Sequence, residues 1–165
     1  TVIGGASTDP TPGYGYTSVP NTYYQGSKNI VVDGANRAWV TGGTASSDWP
    51  TTPGAYRTTN TGNYDVFVLA LNDSGTALVY STMIGGSSTD VGRAIRLDSG
   101  GNVYVAALSA SSDYPTTPHA VQGGNAGNYD FVLSVLSPDL SRLIAGTYWG
   151  GGSSDYASDL AVGPD

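Results

Sequence analysis

The run DVFVLAL at Asp65–Leu71 is apolar at every position after its first, and DFVLSVL at Asp130–Leu136 repeats it with one polar interruption at Ser134. Short runs rich in β-branched and aromatic residues, bounded by Asn, Asp and Gly, predict strands. A strand apolar at both parities belongs to a sheet covered on both faces. Weaker runs flank these two. Strand A is expected at about Asn29–Val32 and again at Ala94–Leu97, and strand B at about Ala38–Gly42 and Val103–Ala107. Strand D is expected at about Ala77–Met83 and Arg142–Tyr148. The links are turn chemistry: DGAN from Asp33 and DSGG from Asp98 between A and B, NDSG from Asn72 and SPDL from Ser137 between C and D. No segment carries a helical period.

These elements recur because the chain repeats. From Gly26 to Ile84 it matches Val91 to Trp149 at one constant offset without a gap. IGGSSTD, Ile84–Asp90, returns as WGGGSSD, Trp149–Asp155, and an earlier IGGASTD occupies Ile3–Asp9. That first copy lies farther from the second than the second lies from the third, and the stretch Pro10–Gln25 is the excess. The chain therefore divides into a partial unit with an insertion (1–25, insertion 10–25), two units (26–90 and 91–155) and the start of another (156–165), all within one β-repeat domain.

Each unit writes one unusual phrase between strands B and C: SSDWPTTPGAY from Ser46 and SSDYPTTPHAV from Ser111. Pro50, Pro53, Pro115 and Pro118 fix φ and hold an extended loop with few conformations to lose. Asp48 and Asp113 are expected to accept hydrogen bonds from the Thr residues that follow them, and Trp49 and Tyr114 to plug the loop onto its own sheet. A phrase written once per unit is expected to be structural.

Four-stranded sheets that repeat and are covered on both faces suit radial stacking, where each sheet covers the next. A parallel β-helix is the competing repeat geometry, but its coils are shorter and it lacks hairpins. The stretches Tyr80–Gly86, Asp98–Val105, Ser46–Ala55, Asp65–Leu71 and Ala77–Thr82 together resemble the bacterial beta-propeller repeat (SBBP-type) units of large secreted proteins. The resemblance covers nearly everything outside Pro10–Gln25. It implies an all-β, propeller-type array of four-stranded antiparallel blades and says little of activity, since one fold hosts many functions. Two departures, His119 in place of the Gly at 54 and SPDL in place of a Gly-bearing turn, leave that fold expectation intact. About two and a half units do not close a ring, so the array is expected to be incomplete within this chain. The chain starts at Thr1 rather than Met and reads as a mature or excised piece. Its expected partners are further units or copies of itself.

Composition narrows the function. The chain has 165 residues with 6 Lys plus Arg against 13 acids, every one Asp, for a net charge of −7. No basic groove for nucleic acid can be assembled from so few cations, and an anionic membrane surface would repel the chain. There is no Cys for thiol chemistry or disulfides, and no run of apolar residues long enough for a helical membrane span.

Candidate chemistry is sparse. Asp65 and Asp130 open strand C after Gly-Asn-Tyr and are expected to tie a neighbouring turn, with metal ligation as the alternative. Asp9, Asp90 and Asp155 lie in oxygen-rich Gly/Ser/Thr loops that a hard cation such as calcium would accept, although no D-x-D-x-D spacing supports them. The pairs Gly4-Gly5, Gly85-Gly86 and Gly150-Gly151 lack the Lys and helix of a phosphate loop and are expected to permit tight turning or positive φ. His119 is expected to be a solvent-facing loop residue. Tyr14, Tyr16, Tyr23 and Tyr24 crowd the insertion, where amphipathic rings suit subunit contacts or docking, a plain loop packed by its own aromatics, or sugar stacking. Asn72-Asp73-Ser74 is a candidate glycosylation sequon in an exposed turn. The expectation is a noncatalytic, extracellular or cell-surface structural protein without a cofactor, which self-assembles or completes a larger β array. The alternative is a glycan- or protein-binding module of a longer secreted protein, and a glycan-active enzyme ranks behind both.

Overall fold

A computed structural model describes residues 28–163. They form eight strands and no helix: β1 Ile30–Val32, β2 Ala38–Thr44, β3 Asp65–Leu71, β4 Leu78–Ile84, β5 Asp90–Leu97, β6 Val103–Ser109, β7 Asp130–Leu136 and β8 Leu143–Trp149. The strands make two four-stranded sheets of simple meander order, β1-β2-β3-β4 and β5-β6-β7-β8, antiparallel throughout. Ala38 faces Leu71 across β2–β3, and their counterparts in the next unit, Val103 and Leu136, face each other across β6–β7. The irregularity at Ala70/Leu71 recurs at Val135/Leu136.

Most predicted strands shift by one or two residues at their ends. The exception is β5, which begins at Asp90 where strand A was expected from Ala94. Asp90-Val-Gly-Arg reads locally as a turn, but it pairs with the end of β6 down to Asp90↔Ser109, and a bulge between Gly92 and Ala94 absorbs the mismatch.

Each sheet has two apolar faces, as the strand alternation requires. Trp39, Val66, Val68, Ala70 and Ile84 of the first sheet join Ile95, Val103, Val105, Val132 and Tyr148 of the second in one buried core. The bend of β5 lays it across β1, β2 and β3, where Lys28 bridges Ala94 in parallel. The opposite face of the first sheet carries a second cluster, Phe67, Leu69 and Met83, closed by Trp49 from the β2–β3 loop. The two sheets thus use non-equivalent faces to meet. Residues 1–27 lie outside the described residues, and with them Asp9, Gly4-Gly5 and the insertion tyrosines Tyr14, Tyr16, Tyr23 and Tyr24.

Candidate functional site

The polar residues that the repeat singles out converge on the turn that carries the chain from one sheet to the next. After β4 the chain turns through Gly85–Thr89 into β5. Ser88 O accepts from Asn63 N at 2.8 Å, and Asp90 N donates to Tyr64 O at 2.8 Å, so the Gly-Asn-Tyr run ahead of β3 is one wall of the junction. Gly62 is required there, because a Cβ would collide with Ser88 O. Asp65, buried at the start of β3, accepts from Thr61 N at 3.0 Å, and Asp130 accepts likewise from Ala126 N at 2.8 Å.

The repeated phrase supplies the opposite wall. Asp113 Oδ1 accepts from Ser87 N at 2.8 Å and Ser87 Oγ at 3.0 Å, while Ser111 Oγ accepts from Ser88 N at 2.8 Å and donates to Asp90 Oδ2 at 2.8 Å. Asp90 Oδ2 also accepts from Gly86 N at 2.7 Å. These contacts correct the expectation that Asp113 caps the Thr residues after it. Its acceptor faces the incoming turn, 26 residues earlier in the chain, because the extended proline loop aims it away from its own strand.

The Gly pairs also have another reason than expected. Positive φ among the described glycines falls at Gly54, Gly75 and Gly101, not at Gly85, Gly86, Gly150 or Gly151. Close approach explains the first pair: a Cβ on Gly85 would lie 2.5 Å from Asp65 Cγ, and one on Gly86 would meet Asp113 Oδ1. Gly150 stands in the same relation to Asp130, at 2.5 Å from its Cγ.

The two aromatic plugs pack into different clusters. Trp49 is buried, stacks on Phe67 at 4.3 Å between centroids and directs Nε1 to Ser81 Oγ at 3.3 Å. Pro50 O accepts from the same Ser81 hydroxyl at 2.7 Å. Tyr114 is buried in the core between the sheets, shares a hydrogen bond with Ser134 Oγ at 3.0 Å and meets Tyr148 edge-on. Pro115 and Pro118 lie in its loop as Pro50 and Pro53 do in the first, and Asp48 is exposed.

Electrostatics follows from these contacts. Burial raises the carboxyls of Asp65 and Asp90 above the ordinary 3.8, against the hydrogen bonds that favour their charged forms. Asp113 is held below that value, chiefly by the Ser87 backbone N–H. Burial pushes the Tyr148 hydroxyl up to about 12 and raises Tyr114 as well.

At the other end of the strands the A–B hairpins border a cleft of about 360 Å³, lined among others by Asp33, Arg37, Trp39, Arg96 and Asp98. Its charges are engaged. Asp33 accepts from Arg37 Nε at 2.7 Å and Trp39 Nε1 at 2.8 Å, Asp98 from Asn102 Nδ2 at 2.8 Å, and Arg96 pairs with Asp159. Among the described residues no group of three or more His, Cys, Asp or Glu is placed to hold a metal ion, and no helix is long and apolar enough to cross a membrane. Asp155 accepts from Gly151 N at 2.7 Å, and His119 is exposed. Asn72 is half-buried rather than exposed: its Oδ1 accepts from Thr76 N at 2.8 Å and its Nδ2 donates to Thr76 Oγ1, closing the β3–β4 turn.

Sequence reasoning missed one pair of residues, Ser87 and Ser88, whose amides the phrase captures. The recurrence of GGSS-like turns was their only signal. No family model matches the chain, and no curated protein matches it.

Proposed function

We propose that this chain is a noncatalytic structural protein of the extracellular space or cell surface. On this reading its sheets are consecutive blades of a propeller-type array that copies of the chain extend. One observation carries it: Ile84, at the end of β4, is 0 % exposed in the core that the two sheets share, whereas its counterpart Trp149, at the end of β8, is 67 % exposed. A large apolar side chain so placed marks an interaction surface.

The use of the polar residues supports the same reading. The repeated Asp and Ser side chains are spent on joining one sheet to the next, an arrangement suited to building an array. The meander order, the common register and the face-to-face core agree with stacked blades.

The experiment is the mass of the native particle by light scattering beside the intact chain mass, 16.8 kDa for these residues. Multiples of the chain mass are expected. A particle of one chain mass at every concentration overturns the reading.

A further inference from the structure

The two sheets meet through non-equivalent faces, and this leaves one face of each kind at the ends of the pair. The first sheet offers Trp39, Val66, Val68 and Ile84; the second answers with Ile95, Val103, Val105 and Val132. Carried forward by one unit of the repeat, the first set becomes Tyr104, Phe131, Leu133 and Trp149 on the outer face of the second sheet. Phe131 pairs directly with Trp149 as Val66 does with Ile84. Carried back by one unit, the second set becomes Ile30, Ala38, Val40 and Phe67 on the outer face of the first sheet, where Ile30 pairs with Val40 as Ile95 does with Val105.

Exposure marks Ile30 and Val32 on the one face and Trp149 on the other as uncovered, while Phe67 is already closed by Trp49. Ile95 is 0 % exposed but Ile30 is 61 %, and Val32 beside it is 58 %. The turn beyond β8 is equally prepared. Asn128 N donates to Ser153 O and Asp155 N to Tyr129 O, as Asn63 and Asp90 do in the first junction.

From this we infer that a second copy of the chain docks head to tail, its first sheet covering the Trp149 face in the way the second sheet covers the first within one chain. The inference rests on the self-assembly reading and names its interface. Such a contact is heterologous: the outer face of the second sheet, with Trp149, meets the outer face of the next copy's first sheet, with Ile30 and Val32, and neither face meets itself. Filaments or rings follow, according to whether the rotation closes.

The test uses two blocked full-length chains, Trp149→Asp and the double variant Ile30→Asp/Val32→Asp, followed by sedimentation velocity. The three side chains are exposed, and unchanged far-ultraviolet circular dichroism checks that each variant folds. Each variant alone is expected to sediment as a monomer, with self-affinity weakened at least about tenfold. An equimolar mixture is expected to give a dimer and nothing larger, since one intact head then meets one intact tail. Wild-type assembly that persists in both variants, or a mixture that stays monomeric, overturns the head-to-tail interface and leaves self-assembly standing. A wild-type chain that is itself monomeric overturns both.

Discussion

Two glycines of the same chain carry opposite tolerances, and the difference lies in what a methyl group would touch. A Cβ on Gly85 lies 2.5 Å from Asp65 Cγ, inside the carboxyl group that anchors β3, whereas a Cβ on Gly34 meets nothing within 4 Å and needs no positive φ. Overpacking of a filled site costs about 1–3 kcal/mol. Gly85→Ala is therefore expected to lower the unfolding free energy by about that much, while Gly34→Ala stays within about 0.5 kcal/mol of wild type. Urea denaturation of both variants measures the contrast, and equal midpoints would remove close approach as the reason for the Gly pair. The same scale shows where sequence reading fell short. Gly85 announces itself as special, but only coordinates distinguish the positive φ seen at Gly54 from a carboxylate pressed against the backbone.

At the scale of elements, the junction couples a loop, a turn and a strand through two carboxylates of opposite character. Burial raises Asp90 in the folded state, so folding holds its proton to higher pH than the unfolded chain does. Its contribution to stability is present below pH 3.8 and is lost as pH rises through the folded value. Asp113, lowered by the Ser87 N–H, works the other way: its contribution is present above 3.8 and is lost as pH falls through its folded value. Asp90→Asn keeps an acceptor for Gly86 N but cannot ionise, so its stability curve is expected to lack the decline that Asp90 imposes on wild type. Asp113→Asn is expected to be weaker than wild type near neutrality and to converge with it in acid. Chemical denaturation from about pH 3 to about pH 8 reads both, and parallel curves for the two variants would contradict the assignment.

The strands themselves were legible, because alternation, β-branched residues and Asn/Asp/Gly turns all agree along β2, β3, β6 and β7. The missing half of β5 was not. Asp90, Gly92 and Arg93 look like a turn until the first sheet is in place, since Thr41 and Gly42 of β2 crowd Gly92 and β6 supplies the partner for Asp90. The repeated phrase was legible as structure, yet its partner was hidden. A carboxylate that bonds 26 residues upstream, across the boundary between sheets, leaves no local mark.

The molecule as a whole keeps a record of whether its end face is covered, because its three Trp residues differ sharply in exposure. Trp39 and Trp49 are 1 % and 6 % exposed, so their emission reports the fold; Trp149 at 67 % reports solvent at the end of β8. Association that buries the Trp149 face is expected to shift emission to shorter wavelength as concentration rises, with no change in circular dichroism. Each chain carries a net charge of −7, so copies repel at long range, and added salt is expected to strengthen the shift by screening. Trp149→Phe keeps an apolar aromatic side chain on the face while removing the reporter. That variant is expected to assemble like wild type in sedimentation yet show no concentration-dependent shift. A shift that survives the substitution would come from Trp39 or Trp49, already 1 % and 6 % exposed, and would remove Trp149 as the reporter of association.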